Sequence, residues 1–91
     1  MIATEVVAQS RGTIVLDGAF IVSSESRDIE LFDVVCNKSL GTHALRGKAL
    51  KTIADVCVSD AGYIEVRYRN ITNNSDWTNS SLMKPGDSIK P

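Results

Sequence analysis

Apolar and polar residues alternate most regularly in residues 62–70, Gly-Tyr-Ile-Glu-Val-Arg-Tyr-Arg-Asn. Ile64, Val66 and Tyr68 share one face of an extended segment, while Glu65, Arg67 and Arg69 share the other. This period of two predicts a strand with Ile64, Val66 and Tyr68 buried and Arg67 and Arg69 exposed. Asp60-Ala-Gly62 ahead of it is turn chemistry. Upstream, residues 2–8 mix Val, Ile and Thr and read as a first strand, followed by a turn at Ser10-Arg-Gly12. Residues 13–22 form the most apolar run. Ile14, Leu16, Phe20 and Val22 lie on one face, Val15, Ala19 and Ile21 with Asp17 on the other, which suits a central strand. Gly18 at its middle suggests a bend or bulge. A polar turn over 23–28 leads to a third strand over 29–36, so the first three strands predict an antiparallel meander.

The pattern changes at residue 43. Ala44, Leu45, Ala49, Leu50, Ile53, Ala54 and Cys57 follow helical spacing, and Thr42 is a suitable N-cap. Arg46, Lys48, Lys51 and Asp55 then fall toward solvent, and Gly47 loosens the first turn. These residues predict a helix near 42–56. The competing assignment is a strand over 48–58 in a hairpin with 63–69, which sets Asp55 on the apolar side. Residues 70–81 read as a long polar loop around Trp77, residues 83–87 as a turn, and residues 88–91 as a short last strand.

These elements define a mainly β (α+β) domain, a small five- to six-stranded antiparallel barrel with one helix. In element order alone it resembles the OB-type barrel, a fold analogy that does not assign a function. The alternative is an open β-sandwich without the helix.

Composition adds bounds. A chain of 91 residues holds one domain and buries roughly 60–65% of its unfolded surface, so a single core stabilises it modestly. The net charge of −1 argues against a protein held mainly by polyanions. Acids nevertheless dominate up to Val35 and bases dominate between Cys36 and Asn70. No apolar run has the ~18 residues of a spanning helix, and the start lacks a basic leader, so a soluble cytoplasmic protein without a membrane partner is expected; a mature exported domain is the alternative. Cys36 and Cys57 fit no metal-ligand spacing. Two buried thiols are the preferred expectation; the alternative is one disulfide, Cys36–Cys57, closing a loop of about 20 residues. Asn37, Asn70, Asn73 and Asn79 begin Asn-x-Ser/Thr triplets, read here as polar turns.

Chemistry for catalysis is sparse. His43 is alone, no carboxylate pair has a telling spacing, and there is no phosphate-cradling glycine loop. The expectation is no enzyme, no cofactor and no metal site. Two features suggest binding: the basic residues Arg46, Lys48, Lys51, Arg67 and Arg69, and Trp77 among small polar neighbours. Recognition of single-stranded nucleic acid needs stacking aromatics beside the cations, and most aromatics here are wanted for the core, so nucleic acid is not the expected partner. The sequence is read as a small non-catalytic binding or interaction module acting through loops and sheet edges. A single-stranded nucleic-acid binder and an immunity-like protein that blocks a larger partner are the alternatives. A homo-oligomer is expected, through residues 2–8, whose only edge-protecting device is Glu5.

Overall fold

Strands with period-two patterns make up most of the described chain. The computed structural model describes residues 10–18, 26–46, 51–72 and 75–91. Seven strands occur there: β1 (Ser10–Asp17), β2 (Ser26–Asp33), β3 (Lys38–Arg46), β4 (Lys51–Val58), β5 (Val66–Asn70), β6 (Thr78–Asn79) and β7 (Ser88–Ile89). They form two sheets, ordered β4-β1-β7 and β3-β2-β5-β6. The pairings are antiparallel except β1 with β7, which is parallel. Ile14, Leu16, Ala54, Val56, Val58 and Ile89 from the first sheet meet Ile29, Leu31, Leu45 and Val66 from the second in one apolar cluster, which Ile64 joins. The two sheets therefore pack face to face, and the described residues form no closed barrel.

The structure corrects the helix expected near 42–56. Its described residues are strand: 42–46 belong to β3 and 51–56 to β4. In β4 the decisive pattern is Ala54, Val56 and Val58 buried against Lys51, Ile53 and Asp55 exposed. Placing Ile53 in the core made the spacing look helical. In fact Ile53 faces solvent, and a strand rich in β-branched residues follows. The competing hairpin with 63–69 is absent as well, because β4 pairs with β1 from Ser10↔Val58 to Asp17↔Lys51. That register turns Asp55 outward and removes the mismatch that disfavoured a strand.

Other boundaries shift. Ser10–Gly12 opens β1 instead of turning, and β2 begins at Ser26 and ends at Asp33. The meander is replaced by a split, with β1 and β2 in different sheets. The expected strand at 2–8, the second half of the one at 13–22, and Lys48 lie outside the described residues. Gly12 is required by packing: a Cβ there would stand 2.9 Å from both Pro85 Cβ and Val58 Cγ2. The turn at 83–87 is present. Asp87 N–H donates to the Lys84 carbonyl at 3.1 Å, and Pro85 and Gly86 (φ 89°) supply the dihedrals of a type II turn.

Residues 62–70 behave largely as the pattern predicts. Ile64 and Val66 are fully buried, Tyr68 packs against the core and Arg67 is exposed, but Arg69 is only half-exposed. Ile64 bridges Met83 just before β5 begins.

The cysteines form the disulfide Cys36–Cys57, with Cα atoms 5.8 Å apart, so the preferred expectation of free thiols does not hold. It ties the turn after β2 to β4 in the opposite sheet. Asp33, only 1% exposed, works at the same place. Its Oδ1 accepts the Cys36 N–H at 3.2 Å and its Oδ2 accepts the Cys57 N–H at 2.8 Å. A buried carboxylate is costly unless its oxygens are satisfied, and both are.

Two outcomes follow for stability. Val66→Ala leaves a cavity between the sheets and is expected to cost roughly 1–3 kcal/mol, read in a denaturant titration. Asp33→Ala orphans the buried Cys57 amide, at about 1–3 kcal/mol, and frees the partly buried Cys36 amide, and for a domain of this size a loss of that order lowers Tm by more than about 4 °C. Unchanged melting of Asp33→Ala would mean the carboxylate does not join the sheets.

Candidate functional site

The register of β2 with β5 sets Glu30 opposite Arg69 and Phe32 opposite Arg67. Ile29, Leu31 and Asp33 point inward, so Glu30 and Phe32 share the solvent face of this sheet with Arg67 and Arg69. β6 continues the face by pairing Asn79 with Arg67. Trp77 stands one step before β6, and its ring, 42% exposed, lies under the Arg69 guanidinium with Cζ 4.7 Å from the ring centroid.

The two arginines have different surroundings. Arg69 is held from both sides: Nε and Nη2 each reach Glu30 Oε1 at 2.8 Å, and the guanidinium carbon sits over the Trp77 ring. Such a pair on a half-exposed face stabilises the fold only slightly, but it fixes the orientation of the indole. Arg67 has no ion-pair partner among the described residues. It lines a recess of about 230 Å³ together with Phe32 and Trp77. The result is an unpaired cation that shares a recess with two aromatic side chains. Nearby, Asn79 Nδ2 donates to Glu65 Oε2 at 3.0 Å, which fixes the rim.

Three of the residues singled out by sequence, Trp77, Arg67 and Arg69, are thus brought together. Arg46 ends β3, an edge strand of the same sheet, and Lys51 opens β4 in the other sheet, so the basic set is not one patch. Two contributors escaped sequence reading. Phe32 does not stand out among aromatics of which most are wanted for the core, and nothing local singles out Glu30. The signal was the alternation Ile29-Glu30-Leu31-Phe32, which places Glu30 and Phe32 outward once Ile29 and Leu31 are taken as core.

A second recess of about 350 Å³ is lined by Val34, Val35, Ser59, Asp60, Tyr63 and Glu65. Ser59 Oγ there accepts the Tyr63 N–H at 3.3 Å, and no histidine lines it. His43 sits on β3, where its Nε2 is 3.1 Å from the Leu40 carbonyl oxygen. Asp33, Cys36 and Cys57 bring potential ligand atoms within 4.8 Å of one another. The sulfurs are joined to each other and the carboxylate is occupied by amides, so that cluster serves structure as it stands.

No family model, curated protein or solved structure matches the chain. The functional reading therefore rests on the geometry of the face itself.

Glu30→Ala is expected to change stability by less than about 1 kcal/mol while freeing Arg69 from Trp77. Trp77 is the only tryptophan, so its emission reports the change directly. A red shift and easier quenching by acrylamide are expected, and an unchanged spectrum would show that Glu30 does not organise the indole.

Proposed function

We propose that this chain is a small non-catalytic binding module whose contact surface is the outer face of β2, β5 and β6. The observation that carries the reading is the unpaired Arg67 lining one recess with Phe32 and Trp77, beside an Arg69 already committed to Glu30. Exposed aromatic and arginine side chains around a recess are the usual anchors of protein recognition, because both bury large areas at low conformational cost. The ligand chemistry that fits is a peptide segment with an acidic group for Arg67 and a flat apolar side chain for the ring surfaces. This reading moves the contact surface from loops and sheet edges to a sheet face.

Single-stranded nucleic acid is the second reading, since bases stack on Trp and Phe. Among the described side chains of β2, β5 and β6, however, only Arg67 is an uncommitted cation, and Glu30 and Glu65 add negative charge on the same face. A phosphate backbone needs several such cations. The third reading, a protein that blocks a larger partner, would use the same face and differs only in what the partner does. As for compartment, the Cys36–Cys57 disulfide favours an oxidising environment over the cytoplasm. Among the described residues no helix is long and apolar enough to cross a membrane.

Selection of a displayed peptide library on the immobilised protein tests the proposal. Selected peptides are expected to carry an acidic residue near an aromatic one. Arg67→Ala or Trp77→Ala should weaken them by about 30-fold, with Tm unchanged. Peptides indifferent to both substitutions would contradict the site. Tight, steeply salt-dependent binding of an oligo-dT probe would replace it with the nucleic-acid reading.

A further inference from the structure

A different surface, the outer edge of β4, has a pattern of its own. In the order β4-β1-β7 this strand is an edge among the described residues. The direction of its backbone groups follows from hydrogen bonds on the far side of β1. Val15 N–H donates to the Asp87 carbonyl at 3.0 Å, and the Thr13 carbonyl accepts from Gly86 N–H at 2.7 Å. The odd-numbered residues of β1 are thus turned toward β7, which leaves Gly12, Ile14 and Leu16 to bond with β4. Their partners in register are Val56, Ala54 and Thr52. In an antiparallel pair the residues between these turn their amides the other way. Lys51, Ile53 and Asp55 therefore present N–H and C=O groups at an edge that no described strand covers.

The edge is closed at one end. Cys57 is the next outward residue, and its N–H is taken by Asp33 Oδ2 at 2.8 Å. The open stretch is Lys51-x-Ile53-x-Asp55, whose midpoint is Ile53. All three side chains are exposed, and Ile53, at 65%, is the most exposed large apolar residue described. The stretch has no proline, and its two charges are of opposite sign.

We infer that β4 pairs antiparallel with β4 of a second copy of the chain, across a two-fold axis at Ile53. In that register Ile53 meets its own counterpart, and Lys51 of each copy faces Asp55 of the other. Each opposed pair has both backbone groups available for exchange. Neighbouring registers are worse. Moving the axis one way sets Lys51 against Ile53, and moving it the other way sets Ile53 against Asp55 and needs the occupied Cys57 amide. Axes at Lys51 or at Asp55 oppose like charges. An isologous contact requires a self-complementary patch, and this sequence is one. Charges on an edge strand usually discourage pairing, whereas here they select a single register. The contact lies on the sheet opposite the Phe32, Arg67 and Trp77 face, so it leaves that surface open and does not depend on it.

Sedimentation velocity over a dilution series, with charge exchange, tests the inference. The unaltered chain is expected to be a dimer that dissociates on dilution. Lys51→Asp sets carboxylates opposite one another, and Asp55→Lys sets ammonium groups opposite one another. Each is expected to weaken the dimer by more than about tenfold. The double exchange Lys51→Asp with Asp55→Lys restores the opposed signs and should restore the dimer, which separates lost pairing from lost folding. A chain monomeric at millimolar concentration would overturn the inference. So would a dimer indifferent to the single exchanges, or one not recovered in the double exchange.

Discussion

The Asp33 carboxylate holds the two sheets in their relation to one another. It leaves β2 in one sheet and accepts the Cys57 amide of β4 in the other, while also accepting the amide of Cys36 in the adjoining turn. The disulfide joins the same two cysteines, so a covalent link, one buried and one partly buried hydrogen bond coincide. Both carboxylate oxygens have amide donors, so none of the Asp33 side chain is buried unsatisfied. Burial alone does not fix how one sheet slides over another, because apolar contact is non-directional. A carboxylate aimed at two particular amides does fix it.

That anchor reaches the surfaces on which function is proposed. Asp33 pairs with Val66 in register, and the register from there to Ile29↔Asn70 sets Phe32 beside Arg67 and Glu30 beside Arg69. Removing the bulge between Leu31 and Phe32 would slide only β3, not this face. On the other sheet the same carboxylate occupies the Cys57 amide and so limits the open edge of β4. One buried side chain thus positions the aromatic recess and bounds the edge.

Legibility from sequence varied with the range of the interactions involved. β5 was readable because each residue declares its face locally: apolar Ile64, Val66 and Tyr68 against charged Glu65, Arg67 and Arg69. β4 was misread because Ala54, Val56 and Val58 in period two coexist with Ala44, Leu45, Ile53 and Ala54 in a helical spacing, and only tertiary pairing with β1 decides between them. Sheet membership was not readable at all. The parallel pairing of β7 with β1 and the split of β1 from β2 depend on contacts between distant segments. For the site, Trp77 and the two arginines were visible by residue type. Glu30 and Phe32 joined them only through the β2–β5 register, and the Asp33 amide bonds had no sequence signal beyond an acid at the end of an apolar run. The cysteines allowed either state, and geometry selects the bridged one.

Amide hydrogen exchange at Cys57 tests the anchoring most directly. Cys57 N–H turns away from β1 on an edge strand, where an unbonded amide would exchange readily. The account predicts protection equal to that of Ala54 and Val56, which bond with β1, so that Cys57 exchanges only on global unfolding. Exchange at Cys57 as fast as at the exposed turn residues Asp60 and Ala61 would contradict it, and with it the claim that Asp33 joins the two sheets.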